Sequence, residues 1–564
     1  MTDPLLPAGG DPSSDEPVTG RGATRGSPSA GRTLATVALT VAVVTALARI
    51  VGFGRTWVLS QSLGTSCLGT AFTTANTIPN VVFEVAVGGA LAGTVVPLLA
   101  GSLSRGDREH ARATLAALYG WMLVVLVPAA IVVAVLAGPL SSGLLGDAGV
   151  GCDAGQVHDV AASLLLVFAL QIPLYGLTVV AQGALQADHR FLAPAWAPLI
   201  ASLGMIAVLL AYKWSAGGHA GNVTTLTTPQ LTLLGWGTTA AVALLLLTQL
   251  PASARAHLLV RPRLAFPAGV AERARTLGLA GLAAVAGQWI VYALLFRLVN
   301  ERGVEGSAVV LLLAWTVFLL PWAVLVFPVA TSTFPRLASA HERGDATAFL
   351  TSSSGLLRAT VLLGFLGAAG VAATAPALSG FLVLGAPGRT SVTELAATLT
   401  AFAPAVIGFA VLGAGSRILY AAHRGAAPSA VTLAGWAVAA VAAFVLSLGT
   451  GAAHVVVAAG GGVSIGLVIG AIAMLLVIAR SLGGAASHGV GRAALAAAVA
   501  GVLGAAIGRL VTDVLPHHTV AAGLVVTLVA GAVTLVVFVG VAGLIDRDDV
   551  RAVLRRRRGV AQGA

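Results

Sequence analysis

Hydrophobic and small residues run through this chain in long blocks, and charged residues are confined to the short gaps between them. Residues 34–48, 123–138 and 524–544 carry no charge at all. Such stretches approach or reach the roughly 20 residues that a helix needs to cross a bilayer. Fourteen apolar segments can be counted: 34–62, 70–100, 113–137, 158–184, 191–212, 229–250, 274–299, 306–332, 354–376, 391–421, 428–448, 454–478, 490–512 and 519–545. The pattern predicts an all-α polytopic membrane protein with about fourteen transmembrane helices.

The gaps give the orientation. Arg105, Arg108 and Arg112 follow the second segment, His189 and Arg190 the fourth, and Arg255, Arg261, Arg263, Arg273 and Arg275 the sixth. Arg336, Arg343 and Arg358 follow the eighth, Arg417 and Arg424 close the tenth, and Arg480 and Arg492 flank the gap after the twelfth. The alternate gaps hold Asp147, Asp153 and Asp159, then Glu301 and Glu305, then Asp513. Cytoplasmic loops accumulate Lys and Arg, so the basic gaps and both termini are expected in the cytoplasm. Residues 1–33, rich in Gly, Pro, Ser and Asp, read as a disordered cytoplasmic tail. The first segment carries no cleavage site of small residues and is expected to be a span rather than a removed signal peptide. Residues 546–564, with Arg555 to Arg558, read as a basic cytoplasmic tail suited to anionic lipid.

Composition narrows the function. Only 9% of residues are charged and 57% are hydrophobic, against about 25% charged in a soluble domain, which excludes a soluble enzyme. With its arginines in short loops, the net charge of +11 speaks of topology, and membrane lipids rather than nucleic acid are the expected partners. No HExxH, GxSxG or P-loop pattern is present, so neither catalytic residues nor a metal or other cofactor is expected. The glycine run at 459–466 lies in apolar sequence, where small residues let helices approach closely.

Two fragments recur. VVPLLAGSLSRGDREHA (95–111) matches TFPRLASAHERGDATAF (333–349), with Arg105-Gly106-Asp107 on Arg343-Gly344-Asp345 at an offset of 238. LQADHRFLAPA (185–195) matches LYAAHRGAAPS (419–429), with His189-Arg190 on His423-Arg424 at an offset of 234. Two matches at nearly one spacing predict a duplicated six-span unit. An even number of spans keeps both halves in the same orientation, so these are parallel repeats. The expected organisation is an N-terminal six-helix lobe at 34–250, a basic cytoplasmic linker at 251–273, a C-terminal six-helix lobe at 274–480, and two additional helices at 490–545. Facing lobes of this kind are a transporter architecture with the substrate path between them.

At ARIVGFGR (48–55) the sequence begins to resemble the MurJ/MviN family of the multidrug/oligosaccharidyl-lipid/polysaccharide exporter superfamily. ANTIPNVVFEVAVGGALAGTVVPLL (75–99), QGALQADHRFLAPAWAPLI (182–200) and SRILYAAHRGAAPSAV (416–431) extend the resemblance over about residues 34–545. It implies a flippase carrying lipid II, the lipid-linked peptidoglycan precursor, from the inner to the outer leaflet of a bacterial plasma membrane by alternating access. Cell-wall synthesis proteins are implied as partners. The family's two arginines of the first span fall on Arg49 and Arg55. Its paired arginines of the second span fall on Phe83 and Glu84, its glutamate before Gly-Ala on Gly88, an acidic residue near the start of that span on Thr70, and the arginine of the eighth span on or near Thr316. A diphosphate headgroup calls for cationic partners, and this cavity keeps two of the usual four.

The substrate-binding candidates are Arg49, Arg55, Asn76, Asn80 and Glu84, with Arg190 and Arg424 as gate or cytoplasmic headgroup contacts. A charge at bilayer depth is normally paired or facing water, so Arg49 is expected within about 4 Å of Glu84, either for substrate or only to hold helices together. Gly52 and Gly54 are expected to bend the first span, and breaks at Pro79-Asn80 and at Pro321 and Pro328 to mark the second and eighth. Cys67 and Cys152 fall in gaps on the non-cytoplasmic side, where disulfides persist. Either they are bridged or they are two small apolar residues. Two other functions stay open: a cation-coupled exporter of another lipid-linked saccharide or small molecule, with Glu84 as the protonatable carboxylate, and a non-transporting cell-wall scaffold.

Overall fold

The computed structural model describes residues 28–85, 95–388 and 392–547, with side chains described outside 28–39, 42, 273 and 275–284. The first half of the chain forms α1 (Pro28–Ser62), α2 (Cys67–Val85), α3 (Val96–Ser104), α4 (Arg108–Val135), α5 (Ala137–Leu145), α6 (Ala154–Phe168), α7 (Gln171–Ala187), α8 (Leu192–Ala216), α9 (Thr228–Leu247) and α10 (Leu250–Arg255). The second half forms α11 (Val270–Arg302), α12 (Ser307–Pro321), α13 (Phe327–Glu342), α14 (Ala346–Val383), α15 (Val392–Ala421), α16 (Ala426–Leu448) and α17 (Val455–Leu482). Two further helices, α18 (Val490–Val514) and α19 (Val520–Ile545), pack on α14 and on each other.

Twelve helices among the described residues are long and apolar enough to cross a membrane. The expected second and seventh spans are outside that set: residues 86–94 of the second are not described, and the seventh lies on α11, where many side chains are not. The fourth expected span is two helices, α6 and α7, with a turn just before Pro173, whose missing N–H and fixed φ interrupt a continuous helix. Span eight breaks as expected: α12 ends at Pro321, a π-turn covers Trp322–Val326, and α13 starts at Phe327-Pro328. Pro79, by contrast, sits inside α2, which runs unbroken to Val85; the expected break at Pro79-Asn80 is absent.

The recurring fragments are helix punctuation. Gly106 and Gly344 take left-handed φ values of +77° and +69°, and the aspartates that follow cap α4 and α14. Asp107 accepts from the His110 N–H at 3.0 Å and Asp345 from the Ala348 N–H at 2.9 Å. His189 and His423 are also left-handed, at φ +58° and +57°. Beyond them the N–H of Arg190 reaches back to Leu185 O at 2.8 Å, and that of Arg424 to Leu419 O at 2.9 Å, the closure of a helix that ends on a left-handed residue. Both halves therefore stop and restart their helices in the same way.

Close approach and aromatic packing hold the second half together. Gly462, Gly466 and Gly470, one turn apart on α17, face Ala443, Ala439 and Gly435 of α16, and a Cβ on Gly462 or Gly466 would overlap the α16 backbone. This is the small-residue packing expected of that run. Trp315 packs tilted or edge-on against Tyr292 (4.5 Å), Trp436 (5.8 Å) and Phe402 (6.3 Å), and Phe318 edge-on against Phe409 (5.5 Å).

The hydrogen bonds between the two halves gather at one end of the molecule. Trp57 Nε1 donates to Phe381 O (3.0 Å), Ser60 Oγ to Leu382 O (2.9 Å), and Gln61 Nε2 to Leu382 O (3.1 Å). Two backbone bridges lie beside them: Thr65 N–H to Pro387 O (2.8 Å), and Val150 N–H to Gly303 O (2.9 Å) with Glu305 N–H to Val150 O (3.0 Å). Asn300 Nδ2 donates to Thr74 Oγ1 (3.0 Å), and Arg297 Nη1 to Gly143 O (2.7 Å). Cys67 and Cys152 form a disulfide at this end, with Cα atoms 5.7 Å apart, inside the range such a bond allows. The opposite end carries the turns at Arg105, Arg190, Arg343 and Arg424.

Candidate functional site

On α2, Asn76, Asn80 and Glu84 recur every four residues, which places them along one stripe of the helix. The hydroxyl of Tyr175 on α7 donates to Asn80 Oδ1 at 3.3 Å, and its ring packs on Phe83 at 4.4 Å. Around this cluster α1 supplies both of its arginines. Arg55 lies near Tyr175, and Arg49 near Glu84. Both arginines are exposed, while Glu84, Asn76 and Asn80 are half-buried and Tyr175 is buried. Arg55, Asn80 and Glu84 thus lie around a further residue, Tyr175, that pattern reading missed. A lone tyrosine in an apolar helix carries no signal of its own.

The expected contact pair is absent. No ion pair within 4.0 Å joins Arg49 to Glu84 among the described residues. Arg49 is exposed, so it is not enclosed with Glu84 among packed side chains. The Oδ1 of Asn76 is buried and has no hydrogen-bond partner, an acceptor left free beside the stripe. Arg190 is held in its own turn by Asp188, Nε to Oδ2 at 2.9 Å, and Arg424 is exposed in the matching turn of the second half. Neither belongs to the Tyr175 cluster.

Arg417 is the second omission. The charge pattern counts it only with the basic residues that close the tenth segment; it lies inside α15, half-buried, with its guanidinium 5.6 Å from the Trp322 ring and 5.2 Å from that of Phe327. Its position four residues before the end of α15 was a signal against a loop.

The sequence model of the family described as "Lipid II flippase MurJ" matches residues 59–541. The chain belongs to the MurJ family. "Lipid II flippase MurJ" of Burkholderia cenocepacia is 29% identical over 173 residues, covering 30% of this chain and 32% of that protein. "Probable lipid II flippase MurJ" of Synechocystis sp. is 28% identical over 240 residues, covering 41% and 42%. The chain thus spans about a third to two-fifths of the length of these curated relatives. A solved "Lipid II flippase MurJ, inward closed conformation" superposes with a TM-score of 0.70 at 14% identity, over 90% of this chain and 99% of that one. An inward-facing MATE family transporter gives 0.61 at 14% identity, over 79% and 95%. The fold is that of MurJ and its MATE-like superfamily.

At the other positions where the resemblance places MurJ charges, this chain is apolar or neutral except at Glu84, where the sign is reversed. Phe83 is spent on Tyr175, Thr70 is buried with its hydroxyl unpartnered, and Thr316 Oγ1 donates to Leu312 O within α12 at 2.8 Å. Gly88 lies outside the described residues.

Proposed function

We propose that this chain carries lipid II, or a closely similar polyprenyl-diphosphate-linked saccharide, from the inner to the outer leaflet of a bacterial plasma membrane. The supporting observation is the grouping of Arg49 and Arg55 with Asn80, Glu84 and Tyr175, in a protein whose halves are hydrogen-bonded together at one end. In this reading the disulfide end faces outward and both termini face the cytoplasm. The headgroup enters from the arginine-rich end and meets Arg49 and Arg55, while the isoprenoid tail stays in lipid. Opening the outer seam and closing the inner end then delivers it.

No nucleotide is needed. With the cell interior negative, an outward-moving charge of minus two gains about 4–5 kcal/mol per 100 mV. That biases the direction if the empty protein returns without a compensating charge. The chemistry of transport is binding and release, so no catalytic residue enters the mechanism. Glu84 sets the limit on affinity. It sits where the resemblance places a cation and repels a diphosphate, so this chain is expected to bind its substrate less tightly than a homologue with four arginines. The direct test is replacement of the resident lipid II flippase in a bacterial strain depleted of it. Growth supported by wild-type protein and lost with Arg55→Ala at equal expression agrees with the proposal. No growth from well-expressed wild-type protein counts against it.

A further inference from the structure

We propose that Arg417 is a second phosphate contact, supplied by the C-terminal half and presented by the broken eighth span. The inference rests on the flippase reading and adds a site to it. The rings of Trp322 and Phe327, at the two ends of the π-turn and 6.2 Å from each other, lie 5.6 and 5.2 Å from the guanidinium. Aromatic rings attract a cation through their faces and leave the N–H groups at its edge unused. A guanidinium has five such donors, and Arg417 spends one, from Nη1 to Gly413 O in its own helix at 3.2 Å. No carboxylate lies within 4.0 Å among the described residues. Gly413 is part of the same construction: a Cβ there would collide with the Trp322 ring.

The repeat indicates where this cation faces. Tyr175 of α7 corresponds to Phe409 of α15 at the 234-residue offset, while Pro79 of α2 and Pro321 of α12 stand 242 residues apart, four more than the 238-residue offset. In the first half Tyr175 meets Asn80, the residue after Pro79; in the second Phe409 meets Trp322, the residue after Pro321, at 5.3 Å. The helix pair that frames Glu84 and Tyr175 is thus reproduced around Trp322 and Phe409, and Arg417 is added to it two turns along α15. Its counterpart in the first half is Gly183, so this cation belongs to one lobe only. A half-buried guanidinium with free donors, no counter-charge and two aromatic supports is built for an oxyanion such as a phosphate, two of whose oxygens it can grip with two parallel hydrogen bonds.

The ligand chemistry is a phosphate headgroup on a lipid, from the transported diphosphate or from an anionic bilayer lipid. The purified full-length chain can be titrated in neutral detergent with undecaprenyl diphosphate and, separately, with phosphatidylglycerol, reading intrinsic tryptophan fluorescence and native mass spectra. Arg417→Ala is expected to weaken undecaprenyl diphosphate about tenfold with an unchanged unfolding midpoint, and Arg417→Lys to recover only part of that loss. Weakening confined to phosphatidylglycerol assigns the same phosphate contact to the bilayer. Should Arg417→Ala misfold, Arg417→Gln keeps a donor for Gly413 O and carries the same test. If wild-type protein binds undecaprenyl diphosphate and the folded variants bind both lipids within twofold of it, the inference about Arg417 is overturned while the flippase reading stands. Wild-type protein that binds neither lipid overturns both.

Discussion

Removal of the Cys67–Cys152 bridge is expected to uncouple two contacts that now open together. Cys67 lies two residues beyond Thr65, which bonds Pro387, and Cys152 lies two residues beyond Val150, which pairs with Gly303 and Glu305. The disulfide therefore joins the two first-half segments that are bridged by backbone to the second half. A backbone hydrogen bond contributes about 1 kcal/mol net. Opening both bridges rather than the Thr65 bridge alone gives up two further bonds, Val150 N–H to Gly303 O and Glu305 N–H to Val150 O. The difference of about 2 kcal/mol corresponds to about a 30-fold difference in open population. Hydrogen exchange followed by mass spectrometry on peptides covering Thr65 and Val150 reads this directly. In the bridged protein the two amides should exchange at a common rate. In Cys67→Ser/Cys152→Ser, or after reduction, the rates should separate, with Thr65 exchanging about 30-fold faster than in the bridged protein. The global stability lost is at most about 4.5 kcal/mol for a sequence separation of 85 in the chain-entropy model. Equal and unchanged exchange at both amides in the variant would refute the coupling.

Other outcomes follow from single contacts. Glu84→Gln should tighten diphosphate binding about tenfold by isothermal titration, since a carboxylate and a diphosphate sharing a partly hydrated cavity repel by some 1–2 kcal/mol; unchanged or weaker binding would remove the repulsion argument. Tyr175→Phe should cost about 1 kcal/mol in chemical unfolding by leaving Asn80 Oδ1 without its donor, and a neutral result would mean that water replaces the hydroxyl. Gly466→Leu, which forces a side chain into the Ala439 backbone, should lower stability by about 3 kcal/mol and be visible as a fall in the unfolding midpoint. Gly54→Ala meets nothing within 4 Å and should stabilise α1 by about 1 kcal/mol. If bending of α1 is part of the cycle, the same variant transports more slowly.

Much of the fold was legible because a bilayer constrains sequence so strongly. Apolar run length and the alternation of arginine with acid gave the helices and their expected orientation, and the Gly-Asp and His-Arg fragments recur because each half needs a left-handed stop and a cap at the same places. Helix breaks were only half legible. Proline at 321 and 328 does interrupt span eight, but Pro79 is absorbed within α2, where the sequence around it supplies no second breaker before Val85. The candidate site was legible at Arg49, Arg55, Asn80 and Glu84 because polar residues at bilayer depth are rare. It was not legible at Tyr175, whose role depends on a neighbour 95 residues away. The cysteines could not be decided from sequence, since only three-dimensional proximity settles a bridge. The Arg49–Glu84 contact failed for a related reason: opposite charges on consecutive spans can share a polar cavity and remain apart.

Transport itself is tested most directly in sealed proteoliposomes holding this chain and lipid II. The headgroup exposed on the trans leaflet is measured with a membrane-impermeant probe while a potential, negative on the side where substrate is loaded, is applied. The account predicts that lipid II reaches the trans leaflet faster than in protein-free vesicles, that the rate rises with the potential, and that Arg49→Ala and Arg55→Ala abolish it. Trans-leaflet exposure no faster than in protein-free vesicles, from folded and correctly inserted protein, would contradict it.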